Sequence, residues 1–394
     1  METTNFLPYA HQSIESSDID AVTAALKHEV ITRGSQVAAF EQEVCQRVHA
    51  LYGVAFCNGS TALAAAFQAA HVGPHDRIIT SPNTFIASVA GGVRAGATLR
   101  CVDIDSYGNI DLSLLAEEIN VPKSRGRAIV VPVHIAGVAV DLTQLDDLIF
   151  MPDTVVIEDA AHALGSSYPD GTPVGCCAYS DMTVLSFHAI KNITCGEGGM
   201  VTTNDPLLYQ RLKKIRDSGI ERTPVTGADA GAPWYYEVDE LSCNFHMTEF
   251  QAALGRSQLQ RLDTFFQKKA SLIASYRRKL ASTPAVTLHP EAVDPLTHYH
   301  LFEVNIEFEA LGLTRSKVME GLHALSIGSQ YHYVPLYCHP ALKGALSQKP
   351  QDFPAMEEHY KKSLSLPFFS SMTEADVDRV VTSLRTVLFQ TCLT

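Results

Sequence analysis

Between residues 50 and 205 short, almost wholly apolar runs alternate with segments whose apolar residues recur every three or four positions. The runs are YGVAFC (52–57), DRIIT (76–80), ATLRCVDI (97–104), RAIVVPVH (127–134), TVVIED (154–159), MTVLSF (182–187) and GMVTT (199–203). Continuous rather than alternating apolar character is what a strand covered on both faces requires. The intervening segments, Thr61 to His71, Ala87 to Ala95 and Leu112 to Ile119, carry the helical period. This alternation predicts an α/β fold with a mostly parallel central sheet wrapped by helices. Upstream, Ser17 with Asp20 reads as a capping box for a helix with Ile19, Val22 and Leu26 on one face.

Beyond residue 205 the pattern changes. The stretch 219–243 is rich in Gly, Pro and acidic residues and reads as a long loop. A single long amphipathic helix is expected from about Met247 to Ala281. After it come a strand (HLFEVNIEF, 300–308), a helix (Ser316 to Leu325), a strand (SQYHYV, 329–334) and a last helix from Thr373. The expected division is a large domain over 1–250, with the long helix and a small α+β domain over 251–394.

Composition narrows the class. With 394 residues, a net charge of −13 and no cluster of Lys and Arg, the chain lacks a nucleic-acid footprint; KSRGR (123–127) reads as a solvated loop. The nine cysteines, Cys392 among them, are scattered without a C-x-x-C pair, so neither a zinc site nor a disulfide framework is expected. The first residues lack the basic-then-apolar pattern of a signal peptide, and the apolar stretch 128–140 is too short to span a bilayer. A cytoplasmic protein with no membrane partner is expected.

Four features fall at the predicted strand ends, where open parallel sheets bind their ligands. After Cys57 the turn Asn58-Gly59 leads into a helix at Ser60-Thr61, and free N–H groups there suit a phosphate. Glu158-Asp159 ends another strand, with His162 just beyond; a buried carboxylate needs a cation, such as a protonated ring nitrogen. Phe85 follows a third strand and could lie flat on a planar ligand. Ser186 ends a fourth, and Lys191 sits in the following loop ahead of Gly196, Gly198 and Gly199. A phosphate cradle, a ring-nitrogen carboxylate, a stacking aromatic and a lysine together match the needs of pyridoxal 5'-phosphate (PLP). The dinucleotide and P-loop fingerprints are absent from the sequence.

The succession NGSTAL, TFIAS, EDAAHALGS, SFHAIKNITCGEGG and NFHMTEFQAALG resembles the DegT/DnrJ/EryC1/StrS sugar aminotransferases, fold type I PLP enzymes with an aspartate-aminotransferase-like fold. The resemblance spans nearly the whole chain. It implies that Lys191 is the catalytic lysine that bonds the cofactor, that Asp159 faces the pyridine nitrogen and that His162 neighbours the ring hydroxyl. Phe85 would stack on the ring, and Ser60, Thr61 and Ser186 would bind the phosphate. Asn244 would reach the site from a neighbouring subunit, which implies a homodimer with shared sites. Tyr9, Thr32, His188, Tyr331, His332, Tyr333 and Tyr360 would line the substrate pocket. Within the family the spacing is most similar to enzymes of the pseudaminic acid branch. Those aminate C4 of a UDP-linked 4-keto-6-deoxy-N-acetylhexosamine with L-glutamate as donor. An enzyme acting at C3, one acting on a cyclitol, and a catalytically silent binding protein remain the alternatives. Two departures stand out: His246 occupies a position where arginine is usual, and Cys195 one where threonine is common.

Overall fold

The structure, a computed structural model, describes residues 6–28, 30–121, 126–145, 153–222, 226–227 and 229–389. Most of the KSRGR loop and Cys392 lie outside the described residues. Seven strands form one sheet: β1 (Tyr52–Phe56), β2 (Arg77–Thr80), β3 (Thr98–Cys101), β4 (Ala128–Val130), β5 (Val155–Asp159), β6 (Met182–Ser186) and β7 (Gly199–Thr203). Their spatial order is β1-β7-β6-β5-β4-β2-β3. Only β7 runs against the others: it pairs antiparallel with both β1 and β6, while β2 to β6 pair in parallel. All seven apolar runs therefore became strands. Alternate residues of each strand enter different apolar layers, Ala55, Ile79 and Leu185 in one and Phe56, Ile78 and Val184 in the other. That two-sided burial is why the runs are continuous.

The helices α1 (Ser16–Leu26), α2 (Ser35–Val48), α3 (Gly59–Ala69), α4 (Ala87–Arg94) and α5 (Leu112–Ile119) follow the expected order. The first begins earlier than expected. Its capping box uses Glu15 and Asp18, not Ser17 and Asp20, because Asp18 accepts from the Glu15 N–H at 2.9 Å. Ile19 and Leu26 on this helix are exposed in the single chain.

After α6 (Pro206–Arg216) the described residues of the loop hold a two-residue ladder, β8 (Ile220–Glu221) with β9 (Glu237–Val238). The single long helix expected over 247–281 is two helices, α7 (Glu249–Leu259) and α8 (Leu262–Leu280). At the break, Arg261 N–H bonds to the Gln258 carbonyl in a tighter turn, and its guanidinium pairs with Glu15 at 2.6 Å and with Asp18. The ion pairs to α1 hold the kink that the hydrophobic period does not reveal.

The C-terminal part builds a three-stranded antiparallel sheet, β10 (Val286–Leu288), β11 (Phe302–Ile306) and β12 (Ser363–Leu366). It packs with α8, α9 (Arg315–Ala324) and α11 (Glu374–Phe389) around a core that includes Tyr276, Phe302, Val380 and Leu384; α10 (Pro354–Lys362) precedes β12. The expected strand SQYHYV is absent. Gln330 exchanges one pair of backbone hydrogen bonds with Ser365, and the following residues then leave the sheet to line a cavity. Its aromatic, β-branched composition fits a cavity wall as well as a ladder.

Strand β7 shapes the phosphate-type turn. Gly199 pairs with both Phe56 and Ser186, so it lies between two strand ends. A Cβ on Gly199 would sit 2.4 Å from the Asn58 carbonyl oxygen, a backbone atom with nowhere to go. Gly199→Ala is therefore expected to destabilise the fold by about 1–3 kcal/mol, the usual range for overpacking. Thermal unfolding checks this, and a midpoint unchanged from the parent would remove the steric argument.

Candidate active site

The parallel strands end at one edge, above a cavity of about 420 Å³. At the end of β1, Asn58 caps α3: its side chain accepts from Thr61 N–H at 2.8 Å. The Thr61 hydroxyl donates to the Asn58 carbonyl at 2.8 Å. Thr61 is thus committed to the cap and is not part of the cavity wall, whereas Asn58, Gly59 and Ser60 are. The N–H groups of Gly59 and Ser60 have no acceptor among the described residues. Ser186, at the end of β6, presses against this turn, with its Oγ 3.0 Å from where a Cβ on Gly59 would lie.

The end of β5 carries two buried carboxylates that point to opposite sides of the sheet, as strand geometry demands. Glu158 is enclosed by donors: His134 Nε2 at 2.7 Å, Thr183 Oγ1 at 2.8 Å, Ser180 Oγ at 2.5 Å and the Tyr168 hydroxyl. Burial alone would raise its pKa, but these hydrogen bonds outweigh burial and hold it below the usual range. Asp159 faces the cavity instead. Its Oδ2 accepts from Ser88 at 2.5 Å, and Ser88 in turn contacts Thr84 at 2.6 Å. Its Oδ1 accepts from Ala161 N–H at 3.1 Å. Ser88 belongs to the TFIAS motif, but sequence reasoning gave it no role.

Lys191 reaches the same space, its Nζ 3.4 Å from His300 Nε2. Burial lowers its pKa to about 8, with Asp159 pulling the other way. Four histidines share this wall. His162 Nε2 lies 3.0 Å from the Tyr333 hydroxyl, its ring 4.4 Å from that of His300. His332 Nδ1 lies 2.9 Å from Ser365 Oγ. Burial first, and then the Lys191 charge, push His162 and His300 well below the usual imidazole range and His332 to about 3. These three are neutral at pH 7. His188 stands at the mouth, 3.7 Å from Glu197. His300 was missed by the sequence reading. It precedes β11, 109 residues from Lys191, and only the packing of the C-terminal part brings the two together.

Tyr9, Phe85 and Tyr333 also line the cavity, with the Phe85 ring tilted 5.8 Å from Tyr333. A second cavity of about 300 Å³ shares Tyr9, Thr84, Phe85, His332 and Tyr333 with the first and adds Tyr331. Tyr360 is behind Tyr331, ring centroids 5.2 Å apart. Two expected site residues lie away from both cavities. Thr32 is exposed and bridges to Thr248, and Asn244 is exposed and bridges to Asp217. Arg33 joins these two segments through Asp217 at 2.7 Å, so they form one surface. Cys195 is a core residue, its Sγ 2.6 Å from a Cβ built on Gly255; its thiol is not in the cavity wall.

A parallel sheet with one reversed strand and a strand-end cavity holding a lysine, an oriented aspartate and open N–H groups define a PLP-dependent aminotransferase. Residues 12–385 match the DegT/DnrJ/EryC1/StrS aminotransferase family, and the chain belongs to it. It is 33% identical over 387 residues to the spore coat polysaccharide biosynthesis protein SpsC of Bacillus subtilis, covering 98% of this chain and 97% of that one. Among solved structures it is similar to Helicobacter pylori PseC, an aminotransferase involved in the biosynthesis of pseudoaminic acid. That match has a TM-score of 0.87 and 26% identity, with 98% of this chain and 100% of that one covered. Spr1654 from Streptococcus pneumoniae in its PLP form gives 0.85 and 25%, with 99% and 100% covered.

The residues present fit the cofactor. The free N–H groups at the α3 start suit a phosphate, and Asp159, aimed inward with one cationic neighbour, suits a protonated ring nitrogen. Only the neutral amine of Lys191 can attack an aldehyde. A pKa near 8 leaves about a tenth of it neutral at pH 7, far more than an ordinary lysine offers. PLP uptake by the cofactor-free chain is therefore expected to quicken about tenfold from pH 6 to 7 and to level off above about 8.5. Stopped-flow absorbance reads this directly; a plateau beginning only near pH 10 would contradict the lowered pKa.

Proposed function

We propose that the chain transfers an amino group from L-glutamate to C4 of a UDP-linked 4-keto-6-deoxy-N-acetylhexosamine, in a homodimer whose sites draw on both chains. The observation that carries this reading is the joining of the two cavities through Tyr9, Phe85, His332 and Tyr333. The second lies beyond Lys191 and Asp159, which line only the first, and its aromatic wall suits stacking and edge contacts with a sugar or base. The likeness to PseC supports the sugar, and the likeness to SpsC supports polysaccharide precursors more broadly.

PLP, when bound, supplies an electron sink that lets an amino group pass between two carbonyl carbons. Lys191 would hold it through its amine, and the free amine would take and return a proton at Nζ. Asp159, oriented by Ser88 and the Ala161 N–H, would keep a proton on the ring nitrogen. Gly59, Ser60 and Ser186 would hold the phosphate, with Thr61 supporting them as part of the cap. Phe85 and His162 both line the cavity, where Phe85 would cover a ring face and His162 would stand by the ring hydroxyl. Tyr9, His188, Tyr331, His332 and Tyr333 line the sugar-nucleotide side, with Tyr360 behind Tyr331. Asn244 and Thr32, exposed on one surface, serve the partner's site. The exposed Ile19 and Leu26 on α1 offer apolar area for such an interface.

Lys191→Ala is expected to lower aminotransfer at least a thousandfold while leaving the unfolding midpoint within a few degrees. Near-parental turnover would sink the assignment. A panel of UDP- and dTDP-linked 4-keto sugars, with glutamate as donor, is expected to give its highest kcat/KM for the UDP-N-acetyl compound; a preference for a 3-keto sugar or a cyclitol would replace that substrate.

Shared sites have their own test. Mixing Lys191→Ala chains with Asn244→Glu chains, each inactive alone, is expected to restore part of the activity through heterodimers with one intact site. No recovery despite demonstrated subunit exchange would remove Asn244 from the partner's site.

A further inference from the structure

A second lysine is buried behind the first. Lys269, on α8, is 5% exposed, and no carboxylate pairs with it among the described residues. Its ammonium donates to Asn192 Oδ1 at 2.9 Å and to the Tyr299 carbonyl at 3.0 Å. Burying this unpaired amine is costly enough to lower its pKa to about 7, and an apolar residue beside Phe265 and Phe368 would pack without that cost. Both acceptors adjoin the reactive contact in sequence: Asn192 follows Lys191, and Tyr299 precedes His300.

Asn192 extends the link. Its Nδ2 faces three carbonyls, Leu164 at 2.9 Å, His298 at 3.0 Å and His162 at 3.2 Å. The amide therefore ties together the loop after β5, the lysine loop and the lead-in to β11. Those segments carry His162, Lys191 and His300. Lys269 closes the arrangement on the one acceptor that Asn192 has left. Lys191 and Lys269 also border the same cavity of about 20 Å³, room for a single water.

We infer that Lys269 is a positioning residue for the Lys191 amine: it clamps the lysine loop to the strand that brings His300 against it. This rests on Lys191 being the cofactor lysine, as proposed above. The groups facing the amine are Asp159 on β5, His162 beyond it, His300 before β11, His332 in the cavity wall, Lys269 on α8 and, at the mouth, Glu197 and His188. Burial and the Lys191 charge lower the Lys269 amine itself to about 7, so it is mostly neutral by the pH at which Lys191 titrates. Removing its two donated hydrogen bonds loosens the loop to water. Burial is what lowers the Lys191 amine, so rehydration moves it up from about 8 toward the ordinary lysine range.

The test uses the full chain, freed of cofactor by dialysis against hydroxylamine. Trace acetylation of Lys191 with acetic anhydride is followed by mass spectrometry from pH 6 to 11. In Lys269→Met the labelling midpoint is expected to rise by half a unit or more, and in Lys269→Arg, which keeps donors for Asn192 and Tyr299 but is permanently charged, not to rise above the parent. A Lys269→Met profile that superimposes on the parent overturns the inference. Should Lys269→Met fail to fold, Lys269→Gln takes its place under the same criteria. A purely structural lysine would lower the unfolding midpoint without moving this profile. The readout needs no aminotransfer, so a shifted profile in a chain that aminates no sugar would overturn the proposed function and leave this inference standing.

Discussion

Two adjacent carboxylates end the central strand of the sheet, and the site depends on their being treated differently. Strand geometry sends Glu158 and Asp159 to opposite sides, and both are buried. Charge in such a place is tolerated only where hydrogen bonds or a counter-charge replace water. Glu158 gets its full set from His134, Tyr168, Ser180 and Thr183, which come from different segments. It therefore anchors the strand end internally. Asp159 gets only Ser88 and the Ala161 N–H, leaving its demand for positive charge directed into the cavity. A saturated anion on one side makes an unsaturated one affordable on the other.

The same economy of charge governs the rest of the wall. Burial leaves His162, His300 and His332 uncharged, so they provide shape and hydrogen bonds rather than positive potential. Positive charge inside the cavity is then concentrated at Lys191, and burial weakens even that. An amine that must alternate between nucleophile and proton carrier works best with a pKa near ambient pH. The sheet edge produces this by exclusion of water, and Asp159 limits how far the shift goes.

What could be read from the sequence was whatever depends on short-range pattern. All seven strands of the large sheet were legible because burial on both faces leaves a continuous apolar signature. The turn at Asn58, the carboxylate Asp159 and Lys191 could be placed because they sit immediately after those strands. Tertiary choices were not legible. The break at Arg261 comes from ion pairs to Glu15 and Asp18, some 240 residues away, and nothing in the amphipathic period marks it. SQYHYV has strand composition, yet only Gln330 pairs with the sheet. His300 and Lys269 looked like a strand lead-in and a helix face, and only packing of the C-terminal part brings them behind Lys191. Thr61 shows the converse: the motif places it correctly, but the cap it makes with Asn58 uses up its hydroxyl.

The departure at His246 has a structural counterpart in the same corner. His246 Nε2 lies 3.2 Å from Asp217, and burial lowers its pKa against the pull of that carboxylate. The imidazole is therefore mostly neutral at pH 7 and does not replace a fixed arginine charge. Asp217 also pairs with Arg33 at 2.7 Å and with Arg222 at 3.1 Å. Two permanent cations thus gather around one carboxylate, beside the exposed Asn244 and Thr32. The fixed charges beside this histidine are therefore arginines, and one of them, Arg33, comes from some two hundred positions earlier in the chain. Substitution at 246 alters which group bears the charge more than whether the surface has one.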